Sequence, residues 1–209
     1  LTKKAKHAYR MYSLQKVFDD EPDPISGKEL VFSPKLDGAA ISLYYGKDGV
    51  LVQGITRGDG IEGEDITDKV YLLPNIPKQL DLQNVQVSGE IVVPKDIENA
   101  RNYASGALHL KSASEIKQRA RYMKFIAYAV TPYINDTYGD DLKLLINQGF
   151  ATIFDDGLDA YRQDGTVYRI NNNKSYELLG YTAKHPRGAF ARKQSSDVAT
   201  EETKLLDVT

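Results

Sequence analysis

Between residues 29 and 56 the chain reads as three strand-length segments, 29–36, 40–45 and 50–56, turned by Asp37-Gly38 and by Gly46-Lys47-Asp48-Gly49. The second of these turns reads as a hairpin loop between antiparallel neighbours, because a parallel crossover needs a dozen or more residues. Ile41, Leu43 and Tyr45 alternate with Ala40, Ser42 and Tyr44, so the two faces of this sheet meet different surroundings. Further strands are expected over 85–93, 124–131, 151–154 and 165–171. Helices are expected from Pro94, over 112–123 behind Ser112 and Ser114, over 140–148 before Gly149, and over 173–179 before Gly180. Strands joined by hairpins and interspersed with short helices predict an antiparallel-rich α+β fold, not a doubly wound parallel sheet.

Composition narrows the chemistry. The 209 residues carry 27 Lys+Arg against 29 Asp+Glu, a net charge of −2, so any grip on phosphate must come from a local cluster. The absence of cysteine excludes disulfides, thiolate zinc sites and cysteine nucleophiles. No apolar run approaches the roughly 20 residues of a membrane helix, and the basic start has no apolar signal core behind it. A reducing cytoplasm is the default expectation. The chain starts on Leu1 and turns apolar again at residues 204–208, so both ends are expected to be cut.

Five clusters carry potential chemistry. In Pro34-Lys35-Leu36-Asp37-Gly38, proline fixes the backbone before the lysine and Asp-Gly turns the chain after it, presenting Lys35 from a constrained strand end. A free lysine has a pKa near 10.4, so its neutral form costs about 4 to 5 kcal/mol at pH 7 unless burial or a neighbouring cation intervenes. Thr56-Arg57-Gly58-Asp59-Gly60 offers glycines for close backbone approach and a permanently charged fork in Arg57; its acids do not meet EF-hand spacing. Val87-Ser88-Gly89-Glu90-Ile91 sets a carboxylate inside an apolar strand, where it calls for a cation, a sugar hydroxyl or a metal. Asp164-Gly165-Thr166-Val167-Tyr168-Arg169 and the basic run 184–193 complete the set. Singly, each reads equally as a turn or a wet surface.

In series, they resemble the motifs of the covalent nucleotidyltransferases, most closely the adenylation domain of NAD-dependent DNA ligases. The resemblance runs from Met11-Tyr12-Ser13-Leu14 to Lys193. It includes the Thr56 to Thr67 stretch, similar to Thr-Arg-Gly-Asp-Gly-x-x-Gly-Glu-Asp-x-Thr, and Arg101-Asn102-Tyr103-Ala104-Ser105-Gly106-Ala107-Leu108. It implies an adenylation domain over 1–195 and, over 196–209, a linker leading into an absent OB-fold. Lys35 would attack the α-phosphate of NAD, expel nicotinamide mononucleotide and carry AMP for transfer to a nick 5′-phosphate. Arg57, Arg169 and Lys193 would surround one phosphate, with Lys193 catalytic beside Lys35. Glu90 and Asp164 would hold Mg²⁺, and Glu90 also the ribose. Tyr128 would stack on adenine, Ser13, Leu14, Ser33 and Leu36 would line the dinucleotide site, and Arg101 would touch DNA.

The sequence also departs from the family pattern. Ser33 replaces a usual Glu, Arg169 a usual Lys, Gly188 a usual Trp, Ser88 a usual Arg, and His109 stands where Arg is expected. The nicotinamide-recognising segment before Ser13 and the OB-fold, helix-hairpin-helix and zinc-binding regions are absent, so the chain alone is expected to seal nicks poorly. These features suggest a divergent, phage-encoded or bacterial form, or an excised piece, acting as a monomer. The alternatives to this reading are an ATP-using ligase or capping-type transferase, and a noncatalytic nucleic-acid-binding relic of the fold.

Overall fold

The computed structural model describes residues 3–193; the expected domain boundary at 195/196 and the tail beyond it lie outside them. Two sheets face each other across a cleft. The five-stranded sheet has the order β5 (Leu51–Thr56), β4 (Ala39–Tyr45), β7 (Val85–Val92), β8 (Lys124–Thr131), β9 (Ala151–Thr152). The four-stranded sheet runs β2 (Gln15–Phe18), β11 (Ala189–Lys193), β10 (Gln163–Ile170), β3 (Leu30–Leu36). A two-stranded ribbon pairs β1 (Lys4–Lys6) with β6 (Glu62–Glu64). Pairing is antiparallel except for β2 with β11 and β8 with β9, in keeping with the expected α+β class.

The main core forms where the alternation in β4 points Ile41, Leu43 and Tyr45 inward, all fully buried, against Val87 and Ile91 of β7 and Phe125 of β8. The helix α4 (Tyr138–Asn147) covers this sheet with Leu142 and Leu145. The Thr137 hydroxyl accepts from the Asp140 N–H and starts α4 two residues before the expected position. Among the described residues no helix is long and apolar enough to cross a membrane.

Several expectations shift. No helix starts at Pro94, which instead bridges to Tyr161; helix α2 is Ala100–Ala107, entered through Asn99 at a φ of 54°. The helix expected over 112–123 is shorter, α3 (Ala113–Ala120), capped by Ser112. Phe154 drops out of the strand expected over 151–154, which retains only two paired residues. The helix over 173–179 forms as expected, as α5 (Asn173–Leu179). The loop 58–65 contains β6, and a short turn of helix, α1 (Thr67–Val70), follows it. Strands β1 and β2 were not legible, because each is defined by a partner far along the chain.

The transfer from one sheet to the other takes place at Asp37-Gly38, between the end of β3 and the start of β4. A Cβ on residue 38 would lie 2.1 Å from the Ile91 carbonyl oxygen. Gly38→Ala should therefore push β3 and β7 apart, costing about 1 to 3 kcal/mol. The check is urea unfolding, with a lowered midpoint at unchanged slope.

Candidate active site

Each side chain singled out from the sequence lines one open cleft of about 1620 Å³ between the two sheets. The four-stranded sheet presents Lys35 near the end of β3, Asp164 near the start of β10 and Lys193 at the end of β11. The Lys35 ammonium lies 3.1 Å from Asp164 Oδ1, and the largely buried Lys193 ammonium 3.7 Å from Oδ2 of the same carboxylate. A bulge aims Asp164 here. From Gln163 to Thr166 is three steps on β10, while their partners Leu36 and Pro34 are two steps apart, and the extra residue turns the carboxylate out of register.

The five-stranded sheet supplies Glu90 from β7 and Tyr128 from β8, with Arg57 just beyond β5. The Gly38 N–H donates to Glu90 Oε1 at 3.2 Å. Burial raises the Glu90 carboxyl to a pKa of about 7, opposed by the Lys35 charge, the Gly38 N–H and Arg57, with the Asp164 charge adding to the rise. Burial likewise raises the Tyr128 phenol well above its ordinary range, which keeps that ring neutral.

The other candidates are distributed along the same walls. Ser13 is exposed and Leu14 half-buried at the cleft edge, before β2. Ser33 is buried opposite Val167, and the Leu36 side chain joins the main core. Arg101, at the start of α2, is largely exposed, with Nε 3.8 Å from Asp37 Oδ1. Arg169 differs from expectation. The register pairs it with Val31, four residues from Lys35 and so roughly 13 Å down the strand. Its guanidinium stacks between the rings of Tyr138 and Tyr176 instead of joining Arg57 and Lys193 around one phosphate.

Several site residues escaped sequence reasoning. His7 is buried, its Nδ1 2.6 Å from the Ser42 hydroxyl and its Nε2 3.0 Å from the Arg57 carbonyl oxygen, so it braces the Arg57 loop. Burial lowers its pKa, against the raising effect of the Arg57 carbonyl. His109, noted in the sequence only as a departure from the family pattern, pairs with Glu64 at 2.9 Å on the cleft wall, and Tyr138 and Tyr176 flank Arg169. His7, Tyr138 and Tyr176 carry no local motif; only the register of distant segments assembles them.

Residues 2–156 match the NAD-dependent DNA ligase adenylation domain. The chain belongs to that family. It is 33% identical over 234 residues to the DNA ligase of Chlorobium phaeovibrioides (strain DSM 265 / 1930), covering 90% of this chain and 34% of that protein. The DNA ligase of Aquifex aeolicus (strain VF5) is 32% identical over 239 residues, covering 91% of this chain and 33% of that protein. The adenylation-domain chain thus spans about a third of the length of these curated relatives. A solved structure, mycobacterial DNA ligase D complexed with ATP and MES, is similar at 16% identity and a TM-score of 0.47, over 86% of this chain and 60% of that one.

The raised Glu90 pKa fixes a sign for the pH dependence of folding. Between pH 4.5 and about 7 the folded protein keeps a proton that the unfolded chain has lost, so stability falls as pH rises through this window. The Glu90 contribution is on the order of 3 kcal/mol, absent below the window and complete above it. Glu90→Gln should remove this slope, so its stability relative to the parent should rise from pH 4.5 to pH 8 in urea titrations.

Proposed function

We propose that this domain forms a covalent lysyl-AMP from NAD through Lys35, as the adenylating part of a DNA ligase. The observation that carries the proposal is the position of Lys35, 3.1 Å from Asp164 with Lys193 on the same carboxylate, inside the cleft shared with Glu90, Arg57 and Tyr128. The ammonium must first give up a proton to act as a nucleophile, and Asp164 is within hydrogen-bond reach of it. The Lys35 nitrogen then attacks the α-phosphorus of NAD. A P–N bond forms, the P–O bond to the leaving phosphate breaks, and nicotinamide mononucleotide departs with the electron pair. Little covalent work falls to other residues, since phosphoryl transfer depends chiefly on positioning and charge neutralisation. Lys193 and Arg57 supply positive charge.

In this reading Tyr128 stacks on adenine, Glu90 holds the ribose, and Ser13, Leu14, Ser33 and Leu36 shape the dinucleotide site. Arg101 faces the backbone of nicked DNA, the proposed acceptor of AMP. Glu90 and Asp164 are hard oxygen donors on facing sheets. Among the described residues no group of three or more His, Cys, Asp or Glu is gathered as a metal cage. Two carboxylates suit Mg²⁺, which retains waters and shares substrate phosphates. Bound by Glu90 and Asp164, it would supply charge neutralisation at the reacting phosphate.

The test is the intact mass of the chain after incubation with NAD and Mg²⁺. The expected result is a gain of one AMP that nicotinamide mononucleotide discharges and that Lys35→Ala abolishes. Lys193→Ala should slow its formation roughly 10²- to 10³-fold. Labelling from ATP but not from NAD would overturn the donor assignment, and an adduct persisting in Lys35→Ala would overturn the nucleophile.

A further inference from the structure

A smaller recess of about 210 Å³ lies at the mouth of the cleft, and its basic lining is Arg10, Arg57 and Lys184. Arg10, Ser13 and Arg57 also line the cleft itself, so the two spaces adjoin. Three separate segments supply these cations, and hydrogen bonds hold the segments together. Residues 7–11 run along the loop 57–62, where the His7 N–H donates to the Ile61 carbonyl at 3.0 Å and the Met11 N–H to the Gly60 carbonyl at 2.9 Å. Gly60 has a φ of 90°, and a Cβ there would lie 2.3 Å from the Met11 carbonyl oxygen, so glycine lets the segment pass this close. Lys184 belongs to the turn after α5, in which the Thr182 hydroxyl accepts the N–H groups of Lys184 at 3.2 Å and His185 at 3.0 Å. Arg10 ties that turn to the N-terminal segment. Its Nη2 donates to the Ala183 carbonyl at 2.5 Å, and its central carbon lies 4.5 Å from the centroid of the Tyr12 ring, which stacks on Tyr181 at 4.6 Å.

Charge in the recess is unbalanced. Among the described residues none of Arg10, Arg57 and Lys184 forms an ion pair with a carboxylate. Asp59 is the one acid on the lining, and its Oδ1 is turned into its own loop, accepting the N–H groups of Ile61 and Glu62, each at 2.9 Å. Guanidinium and ammonium groups only donate, and the Ser13 hydroxyl can donate too, so the complementary occupant carries negative charge on several acceptor oxygens. Volume narrows the choice further. Pockets for whole small ligands run from roughly 300 Å³ upward, so this recess suits a group the size of a phosphate with some water, not a second nucleotide.

We infer that Arg10, Arg57 and Lys184 form a second anion site, which takes the phosphate of the mononucleotide that leaves when Lys35 attacks. The inference rests on the reading that Lys35 is adenylated from NAD. In that step the oxygen bridging the two phosphates departs with the electron pair, so the leaving phosphate becomes a monoester of about −1.5 to −2 charge at pH 7. Cations fixed around it stabilise the transition state, in which this charge develops, more than they stabilise bound NAD. Arg57 lines both spaces and so adjoins the phosphate under attack, while Arg10 and Lys184 extend the positive charge to the leaving side.

The test has two arms. The first follows inorganic phosphate by phosphorus NMR with the cleft saturated by AMP. Arg10→Gln and Lys184→Gln, which remove one charge each, should weaken phosphate about tenfold, and Lys184→Arg should stay within about twofold of the parent. The second arm discharges the AMP adduct with nicotinamide mononucleotide. The concentration for half-maximal discharge should rise about tenfold in both glutamine variants, with the maximal rate within about twofold of the parent. Adduct formation at limiting NAD should slow by the same factor, because the overall equilibrium between the two sides contains no bound mononucleotide. Phosphate binding unchanged in the glutamine variants, or mononucleotide discharge unchanged in them, would overturn the site. A parent chain that forms no adduct would instead overturn the adenylation reading, with the phosphate titration still deciding the site.

Discussion

The close crossing of Gly38 over the Ile91 carbonyl is the contact on which the cleft depends. Lys35 belongs to the four-stranded sheet and Glu90 to the five-stranded sheet, and only two residues separate the end of β3 from the start of β4. A chain changing sheets in so short a span must bring backbone against backbone, which a side chain at position 38 would prevent. The same residue uses its N–H to hold Glu90 Oε1. One steric requirement thereby sets both the separation of the walls and the orientation of the buried carboxylate.

Charge is distributed unequally between these walls. On the four-stranded sheet a single carboxylate, Asp164, stands between two ammonium groups, an arrangement that hydrogen bonding and Coulomb attraction stabilise locally. Across the cleft Glu90 lies in more apolar surroundings and is held less comfortably in its charged form, as its raised pKa records. Incoming positive charge would favour the Glu90 carboxylate, so the folded domain is incomplete electrostatically in the sense that a binding site must be. Above its raised pKa, the buried Glu90 carboxylate lowers folding stability.

Much of this was legible from residue order. The β4–β5 hairpin followed from alternation and a short turn, whereas the change of sheet between β3 and β4 did not, and Lys35, Arg57, Glu90 and Asp164 followed from motifs in which turn residues flank a charged group. The legible elements share locality: their geometry is set by neighbours within a few residues. Strand β2 pairs with β11 across more than 170 residues, and His7 reaches Ser42 and Arg57 from the N-terminal segment, so no local pattern announced either. Arg169 shows the complementary failure. Its charge suggested a place beside the phosphate, but register put it several residues down the strand, between two tyrosines.

The sequence by itself determined the antiparallel α+β class, the family and the inventory of reactive groups, because turn chemistry, alternation and motif order are properties of consecutive residues. Tertiary structure alone decided which groups meet. The bulge before Thr166 aims Asp164 at two lysines, and the strand register moves Arg169 away from them, since both depend on hydrogen bonding between strands that sequence distance does not encode.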